Sequence, residues 1–475
     1  MTDGASSPAR LSGWGALGHS ARLYLLHVVL LTASLAIVGL FFNIAILALG
    51  FSLDFLGLLN SVSFASAALL SVPLLWLVGR MRLRRALLFS AALQCASVLL
   101  LALWPTPPAL LGASVLTGAA AVLFEISAPP FMMRHTTPAT RDMLFSASSA
   151  ARIVLAGLGS LLAGQLPSLA GRLFQVGPAS GLAYRATLGM SALGLALSAL
   201  PLLAMRAESH EDAPAAPPYG SPADEVSRPA PEIGIKTDER GTGPVLRGPW
   251  RPGRFLGFKQ LASRAAGLIP PVWRDLAREP IPLLKLLASP ALISVGAALL
   301  IPYLNLFFRQ RFVVDDQLLG AIFAGLGVCT GAAALAAPRL SARLGRIHTV
   351  VLTQALALPF LVLLGWAPWL GLAVGAALAR AALFNMGVPL YDAFALERSD
   401  PAARPTVIAL INGAYSLGYA VAPLISVRVQ ASYGFGPLFA ATAVCYALAV
   451  LAKYWFFMRA PHYTDVPPYS QVQKD

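Results

Sequence analysis

The chain has 475 residues, 57% of them hydrophobic and 12% charged, whereas a soluble globular domain carries about 25% charged residues; bulk water is excluded as its main solvent. The formal net charge of +14 would suit a nucleic-acid binder, but the basic residues fall in short bursts between apolar runs. That placement assigns them to membrane loops and predicts a lipid bilayer, with no nucleic acid, as the partner.

Apolar runs long enough to cross a hydrocarbon core of ~30 Å, which takes roughly 20 helical residues, recur along the chain. The first six cover Leu23 to Gly50, Phe55 to Gly79, Ala86 to Trp104, Ala109 to Met133, Met143 to Leu166 and Leu182 to Met205. Six more cover Leu283 to Phe308, Gln317 to Pro338, Thr349 to Trp369, Leu370 to Leu396, Thr406 to Val427 and Phe435 to Phe457. They are spans 1 to 12 below. The predicted fold is an all-α membrane protein of two six-helix bundles, residues 23–205 and 283–458, with an N-terminal arm 1–22, a linker 206–282 and a tail 459–475. Within the linker, Glu208 to Pro244 is rich in proline, alanine, glycine and acids, and reads as disordered. Arg254 to Ile269 spaces Phe255, Phe258, Leu261, Ala265, Leu268 and Ile269 as one helical face, predicting an amphipathic surface helix stopped by Pro270 and Pro271.

Orientation follows from lysine and arginine, which are retained on the cytoplasmic side. One set of alternate loops holds Arg10 and Arg22, then Arg80, Arg82, Arg84 and Arg85, then Arg134 and Arg141, and after the linker Arg339, Arg343 and Arg346, Arg398 and Arg404, and Lys453, Arg459 and Lys474. The opposite set holds Arg172, Arg309, Arg311 and Arg428, with Arg185 at the start of span 6. Both termini and the linker are therefore expected in the cytoplasm of a cell with the protein in its inner (plasma) membrane. The first run is longer than a signal-peptide core, so no cleaved leader is expected. Cys95, Cys329 and Cys445 each lie in an apolar stretch without a CxxC pair, which predicts buried free thiols and no metal or cofactor.

The halves repeat. Gly57 and Gly320, Arg80 and Arg343, Pro105 and Pro368, and Arg141 and Arg404 are each 263 residues apart, in corresponding loops and helix starts, as expected of a parallel duplication of the kind found in secondary transporters. In the second half Ala342, Arg343, Leu344, Gly345 and Arg346 follow Pro338; in the first, Gly79, Arg80, Met81, Arg82, Leu83 and Arg84 occupy the matching loop. With these residues the chain resembles the major facilitator superfamily, whose D-R-x-G-R type loop joins helices 2 and 3 and recurs between helices 8 and 9. Alanine replaces the aspartate at 342, proline the leading glycine at 338, and the first-half loop lacks the acid and second glycine. The resemblance implies cytoplasmic gate loops, here Gly79, Arg80, Arg343, Gly345 and Arg346, in which a glycine-permitted turn lets arginines reach neighbouring helix ends. It also implies a cavity lined by spans 1, 4, 7 and 10. The family's drug–proton exchange motifs are not matched: no arginine occurs near Ser114 to Gly118, and span 5 keeps Gly157, Gly159 and Gly164 without the proline.

An ionisable group near mid-bilayer costs at least ~2.5 kcal/mol, so it usually faces a cavity or a partner. Glu125 of span 4 and Arg152 of span 5 lie about 12 and 14 Å from the cytoplasmic ends of adjacent antiparallel helices, a match that predicts a pair, either a gate broken during transport or a permanent brace. Arg380, ~15 Å deep in span 10, has no sequence-local partner and is the leading candidate to meet an anionic substrate group or a mobile counter-ion. Asp392, nearer the cytoplasmic end, is a candidate gate or a solvated helix end; Asp54 reads as structural. Asn43, Tyr303, Asn305, Asn385, Tyr391, Asn412 and Tyr415 add neutral polar candidates, each of which could equally be a packing hydrogen bond. Pro129, Pro130, Gly387 and Pro389 permit bending of spans 4 and 10.

The predicted function is secondary active transport of a small solute by alternating access, efflux being one direction, with a coupling proton or ion and a monomeric protein expected. An ATP-driven pump is excluded within this chain, because no Gly-Lys dipeptide exists to form a phosphate-binding loop. A membrane-embedded enzyme is the alternative from another class, but there is no HExxH and the six histidines are scattered; Asp315 and Asp316 are expected to cap span 8. A transporter-like sensor would share the same fold.

Overall fold

In water-free lipid a chain must satisfy its backbone polar groups internally, which leaves the helix as the element for runs this apolar. A computed structural model describes residues 17–205, 280–399 and 404–459, and among them twelve helical segments are long and apolar enough to span a membrane, with no strand. The linker with its predicted amphipathic helix, the arm before residue 17 and the tail after residue 459 lie outside the described residues.

Spans 1 to 4 are His19–Ala48, Leu53–Val78, Leu83–Leu103 and Pro107–Arg134; span 5 is Pro138–Ala163 followed by Leu166–Phe174, and span 6 is Gly181–Ala204. Span 7 is Pro280–Leu300 and Leu304–Phe312, joined by a 3₁₀ turn at Ile301–Tyr303. Spans 8 to 12 are Asp316–Leu344, Arg346–Trp366, Leu370–Glu397, Arg404–Tyr433 and Gly436–Phe457. Connections of a few residues make neighbours antiparallel, so one end of the bundle carries residues 19, 204, 280 and 457. It is called the terminal end, and the opposite one the far end.

The structure departs from the predicted elements where proline was read too strictly. Span 8 continues through Pro338 to Leu344, so Arg339 and Arg343 ride on its last turns and do not sit in a loop. Membrane helices tolerate proline because neighbouring groups take up the freed carbonyl. Span 7 does break, at Pro302, where the missing N–H removes a helical bond and leaves carbonyls free for other donors. The expected cap holds for Asp315, whose carboxylate accepts from the Leu318 N–H at 2.8 Å; Asp316 faces inward instead.

Each half has its own aromatic core, with Tyr24, Phe41, Phe131 and Tyr184 in the first and Phe307, Phe308, Phe439 and Tyr446 in the second, all fully buried. The halves meet where span 2 packs on span 11 and span 5 on span 8. Glycine makes the second contact possible. A Cβ on Gly320 would lie 2.6 Å from the Ser160 carbonyl oxygen and 2.9 Å from Gly164 Cα, and one on Gly327 would lie 2.8 Å from Gly157 Cα. The backbones of spans 5 and 8 therefore touch directly, as small residues allow in lipid. Gly320→Val should destabilise the detergent-solubilised protein by at least about 1–3 kcal/mol, the scale of overpacking. Gly112→Ala, where a Cβ meets nothing within 4 Å, should leave thermal stability unchanged; equal melting of the two variants would show that the seam is not close-packed.

Candidate functional site

Near the far end, spans 1 and 7 exchange a reciprocal pair of hydrogen bonds. Asn43 Nδ2 donates to the Pro302 carbonyl at 2.5 Å and Asn305 Nδ2 donates to the Leu40 carbonyl at 2.8 Å. The two asparagines are 262 residues apart, and so are the two carbonyls, so each half supplies one donor and one acceptor three residues before it. Asn43 also donates to Asn305 Oδ1 at 3.1 Å, and Asn60 of span 2 to Asn43 Oδ1 at 3.4 Å. With the asparagines only 4% and 2% exposed, breaking this clasp would strand amide groups away from water. The break in span 7 presents the Pro302 carbonyl, which shows why the proline turn lies there.

A second cross-half brace stands beside it. The Tyr184 hydroxyl of span 6 lies 3.0 and 3.1 Å from the two carboxylate oxygens of Asp316, which also pairs with Arg309 at the end of span 7. At the far surface, Arg428 Nε lies 3.9 Å from Asp54.

Toward the terminal end, the contacts of Arg84, Arg152 and Arg346 each stay within one half. Arg152 Nη2 lies 2.8 Å from Glu125 Oε1, and the two side chains are 49% and 58% exposed. The sequence expectation of a depth-matched pair thus meets a contact, but a half-open one. Arg84 donates to the Leu202 and Leu203 carbonyls at the end of span 6, at 2.7 and 2.8 Å. Arg346, at the start of span 9, pairs with Glu397 at the end of span 10. Arg80 lies 3.6 Å above the Trp76 ring, and Arg343 is exposed on the last turn of span 8. Gly345 turns with φ +82°, a conformation that needs glycine. Gly79 does not; its φ of −59° is ordinary helix, so the expected glycine-permitted turn exists only in the second half.

Arg380 points between spans 10 and 12. It is 7% exposed, its Nη2 donates to the Tyr446 hydroxyl at 3.2 Å, and its guanidinium lies 5.5 and 5.9 Å from the Phe384 and Tyr446 ring centres. Its Nε is buried without a partner. Two other polar candidates of span 10 are occupied, Tyr391 donating to the Leu286 carbonyl at 2.6 Å and Asn385 to the Thr330 hydroxyl at 3.5 Å. Asp392 is exposed and lines a small cavity with Lys453, Gln354 and Tyr415. A larger cavity of about 330 Å³ lies beneath the clasp, between spans 1, 2, 3, 4, 7 and 11, with Asn43, Asn60, Thr117, Phe64 and Tyr419 in its walls.

Sequence reasoning counted Lys453 among the loop charges, but the structure buries it at 1% exposure in span 12, with Nζ 2.6 Å from Gln354 Oε1 and 4.8 Å from the Tyr391 ring centre. Its position inside the apolar run was the available signal. Tyr446, Asn60 and the Tyr184–Asp316–Arg309 brace were also not singled out as site residues. His27 of span 1, dismissed with the scattered histidines, is fully buried, with Nδ1 2.6 Å from the Ser198 carbonyl oxygen.

The model of the Major Facilitator Superfamily matches residues 23–312 and 286–473. Curated proteins yield no match. Among solved structures, a D-xylose–proton symporter superposes with TM-score 0.65 at 15% identity, over 92% of this chain and 97% of its own. A bacterial homologue of the human lysosomal transporter Spinster, inward-facing and unoccupied, gives 0.63 at 14% identity over 92% and 94%. The nucleoside transporter NupG gives 0.60 at 13% over 93% and 99%. At such identities these likenesses describe the fold.

Because Glu125 and Arg152 are half exposed, their coupling should be on the scale of a solvated pair, about 0.2–1 kcal/mol, well below the cost of a fully buried one. A double-mutant cycle of Glu125→Gln and Arg152→Gln, read by thermal unfolding, should return a coupling in that range; 3 kcal/mol or more would mean that the pair is sealed from water.

Proposed function

Since the chain belongs to the major facilitator superfamily, we propose that it is a secondary active transporter carrying a small solute across the cytoplasmic membrane by alternating access, with both termini in the cytoplasm. The observation that carries this reading is the uneven distribution of bonds between the halves. The asparagine clasp and the Tyr184–Asp316–Arg309 brace join the halves at the far end, whereas the contacts of Arg84, Arg152 and Arg346 toward the terminal end tie spans of the same half. A carrier latched at the end that faces the outside fits these cross-half bonds. The arginine-rich alternate loops support the orientation. The fold neighbours that carry a sugar, a nucleoside and a peptide are consistent with a small-molecule cargo. The Glu125–Arg152 pair, between adjacent spans and half exposed, suits a gate that exchanges partners as the terminal end closes. The gate loops around Arg80, Arg343 and Arg346 would then bias one state against the other, so substitution of Arg343 or Gly345 should lower turnover more than affinity.

Two measurements test the cycle and its orientation. In a background with Cys95, Cys329 and Cys445 replaced by serine, cysteine at position 311 should react with an impermeant maleimide from outside intact cells, and cysteine at position 230 only after permeabilisation; the reverse pattern would invert the topology. Removing the clasp with Asn43→Ala and Asn305→Ala deletes, besides the amide–amide bond between them, the reciprocal pair of hydrogen bonds to backbone carbonyls, worth about 0.5–1.5 kcal/mol each. This should raise the reactivity of a cysteine at the buried Leu306 position by roughly 5- to 150-fold by population shift. Unchanged reactivity would remove the clasp from the gate.

A further inference from the structure

We propose that the solute is a small organic anion, its carboxylate or equivalent head held by Arg380 and its uncharged body lying in the cavity beneath the asparagine clasp. The inference rests on the transport reading above and adds the chemical class of the cargo.

Arg380 begins the argument. A guanidinium has five N–H donors and does not lose its proton at any physiological pH, so a buried arginine cannot escape the cost of its charge by neutralising. Among the described residues one hydroxyl, that of Tyr446, accepts from it, Nε is left orphaned, and no carboxylate lies within ion-pair distance. Phe384 and Tyr446, stacked with ring centres 4.3 Å apart, hold the cation against their faces but supply no anion. The side chain is thus fixed in position, charged and short of acceptors near mid-depth. A carboxylate is the group that completes it, since it accepts two parallel N–H bonds from one guanidinium.

The surrounding charges point the same way. In the first half Arg152 has its own counter-ion in Glu125. In the second half Lys453, two helical turns beyond Tyr446 on the same face of span 12 and ~10 Å along it, is a second buried basic side chain, held by an amide and a ring. Asp392, the acid that shares the Lys453 cavity, is exposed and makes no ion pair with it. The buried guanidinium of Arg380 is therefore a positive charge that no described acid of the second half pairs, and an anionic solute is drawn to it.

The cavity beneath the clasp is the space we assign to the rest of the molecule; Arg380 is not among its lining residues, and its walls include Tyr419, which packs on Phe64 at 4.7 Å. The other walls combine Phe42, Leu59 and Ile301 with Asn60 and Thr117, apolar surface with neutral hydrogen-bonding groups and no charge. About 330 Å³ is at the small end of ligand pockets, and the walls match an aromatic or aliphatic body bearing at most a hydroxyl.

The test uses the full-length protein in nanodiscs, with thermal shift titrations of acetate, lactate, benzoate, phenylacetate and 4-hydroxybenzoate, each against its neutral amide, and of chloride and sulfate alone. At least one of the larger carboxylates should stabilise saturably, with an apparent affinity tenfold or more above its amide. Arg380→Gln should lose that preference, and Arg380→Lys should keep part of it. The acid-to-amide comparison on the wild type needs no variant and stands if the substitutions fail to fold. Equal response to acid and amide, no response to any carboxylate, a full preference surviving in Arg380→Gln, or chloride and sulfate reproducing the whole effect would each overturn the proposal. Flux of the binding carboxylate in proteoliposomes separates the two readings: binding without flux removes the transport function but leaves the anion site, and flux of neutral solutes alone removes the anion site but leaves the transporter.

Discussion

A polar group inside a bilayer has to find its partner within the protein, and the hydrogen bonds of this molecule are distributed by that requirement. Small hydroxyls bind neighbouring spans of the same half through backbone carbonyls: Ser97 to Ala113, Ser191 to Ser34, Ser294 to Tyr415 and Thr442 to Gly296. Such bonds average ~0.6 kcal/mol in membranes, and their number within each half makes each half a body. Between the halves the described polar contacts are fewer, with two asparagines, Asp316 and the exposed Asp54–Arg428 pair carrying the main ones.

The same requirement explains what could be read from the sequence. Length and hydropathy determine the spans, because lipid thickness admits few alternatives, and the duplication is visible in the loops. The depth match of Glu125 and Arg152 was legible because consecutive antiparallel helices fix relative height. Rotation about the helix axis was not. These helices are apolar on all sides, so no periodicity says which neighbour a side chain meets. Asn43 and Asn305 could be noticed singly but not joined, although their 262-residue separation nearly equals the repeat offset of 263 residues between the landmarks. Lys453 was misjudged for a related reason: height near a helix end suggests a solvated charge, and only the packing of spans 9 and 10 around it encloses the ammonium.

The two halves, similar in backbone, have diverged in charge. The first carries its central arginine as part of an ion pair facing an opening; the second carries arginine and lysine against aromatic rings and amides. A duplicated scaffold thus keeps symmetry where the halves engage each other, at the clasp, and loses it around Arg380, where the proposed anion would be bound. An asymmetric molecule cannot be gripped by two identical walls with equal economy.

The glycine contact between spans 5 and 8 has a mechanical consequence. Where Gly157 meets Gly327 and Gly164 meets Gly320, backbone rests on backbone, and Ile153 of span 5 packs its side chain against Gly331 of span 8. In the proposed cycle the glycine contacts then let one half tilt on the other with few side chains to rearrange at the joint between spans 5 and 8. Resistance to the swing then comes from the clasp and brace at the far end and, once these are released, from the viscosity of the surrounding lipid. A stiffer membrane should slow this carrier while leaving its affinity untouched.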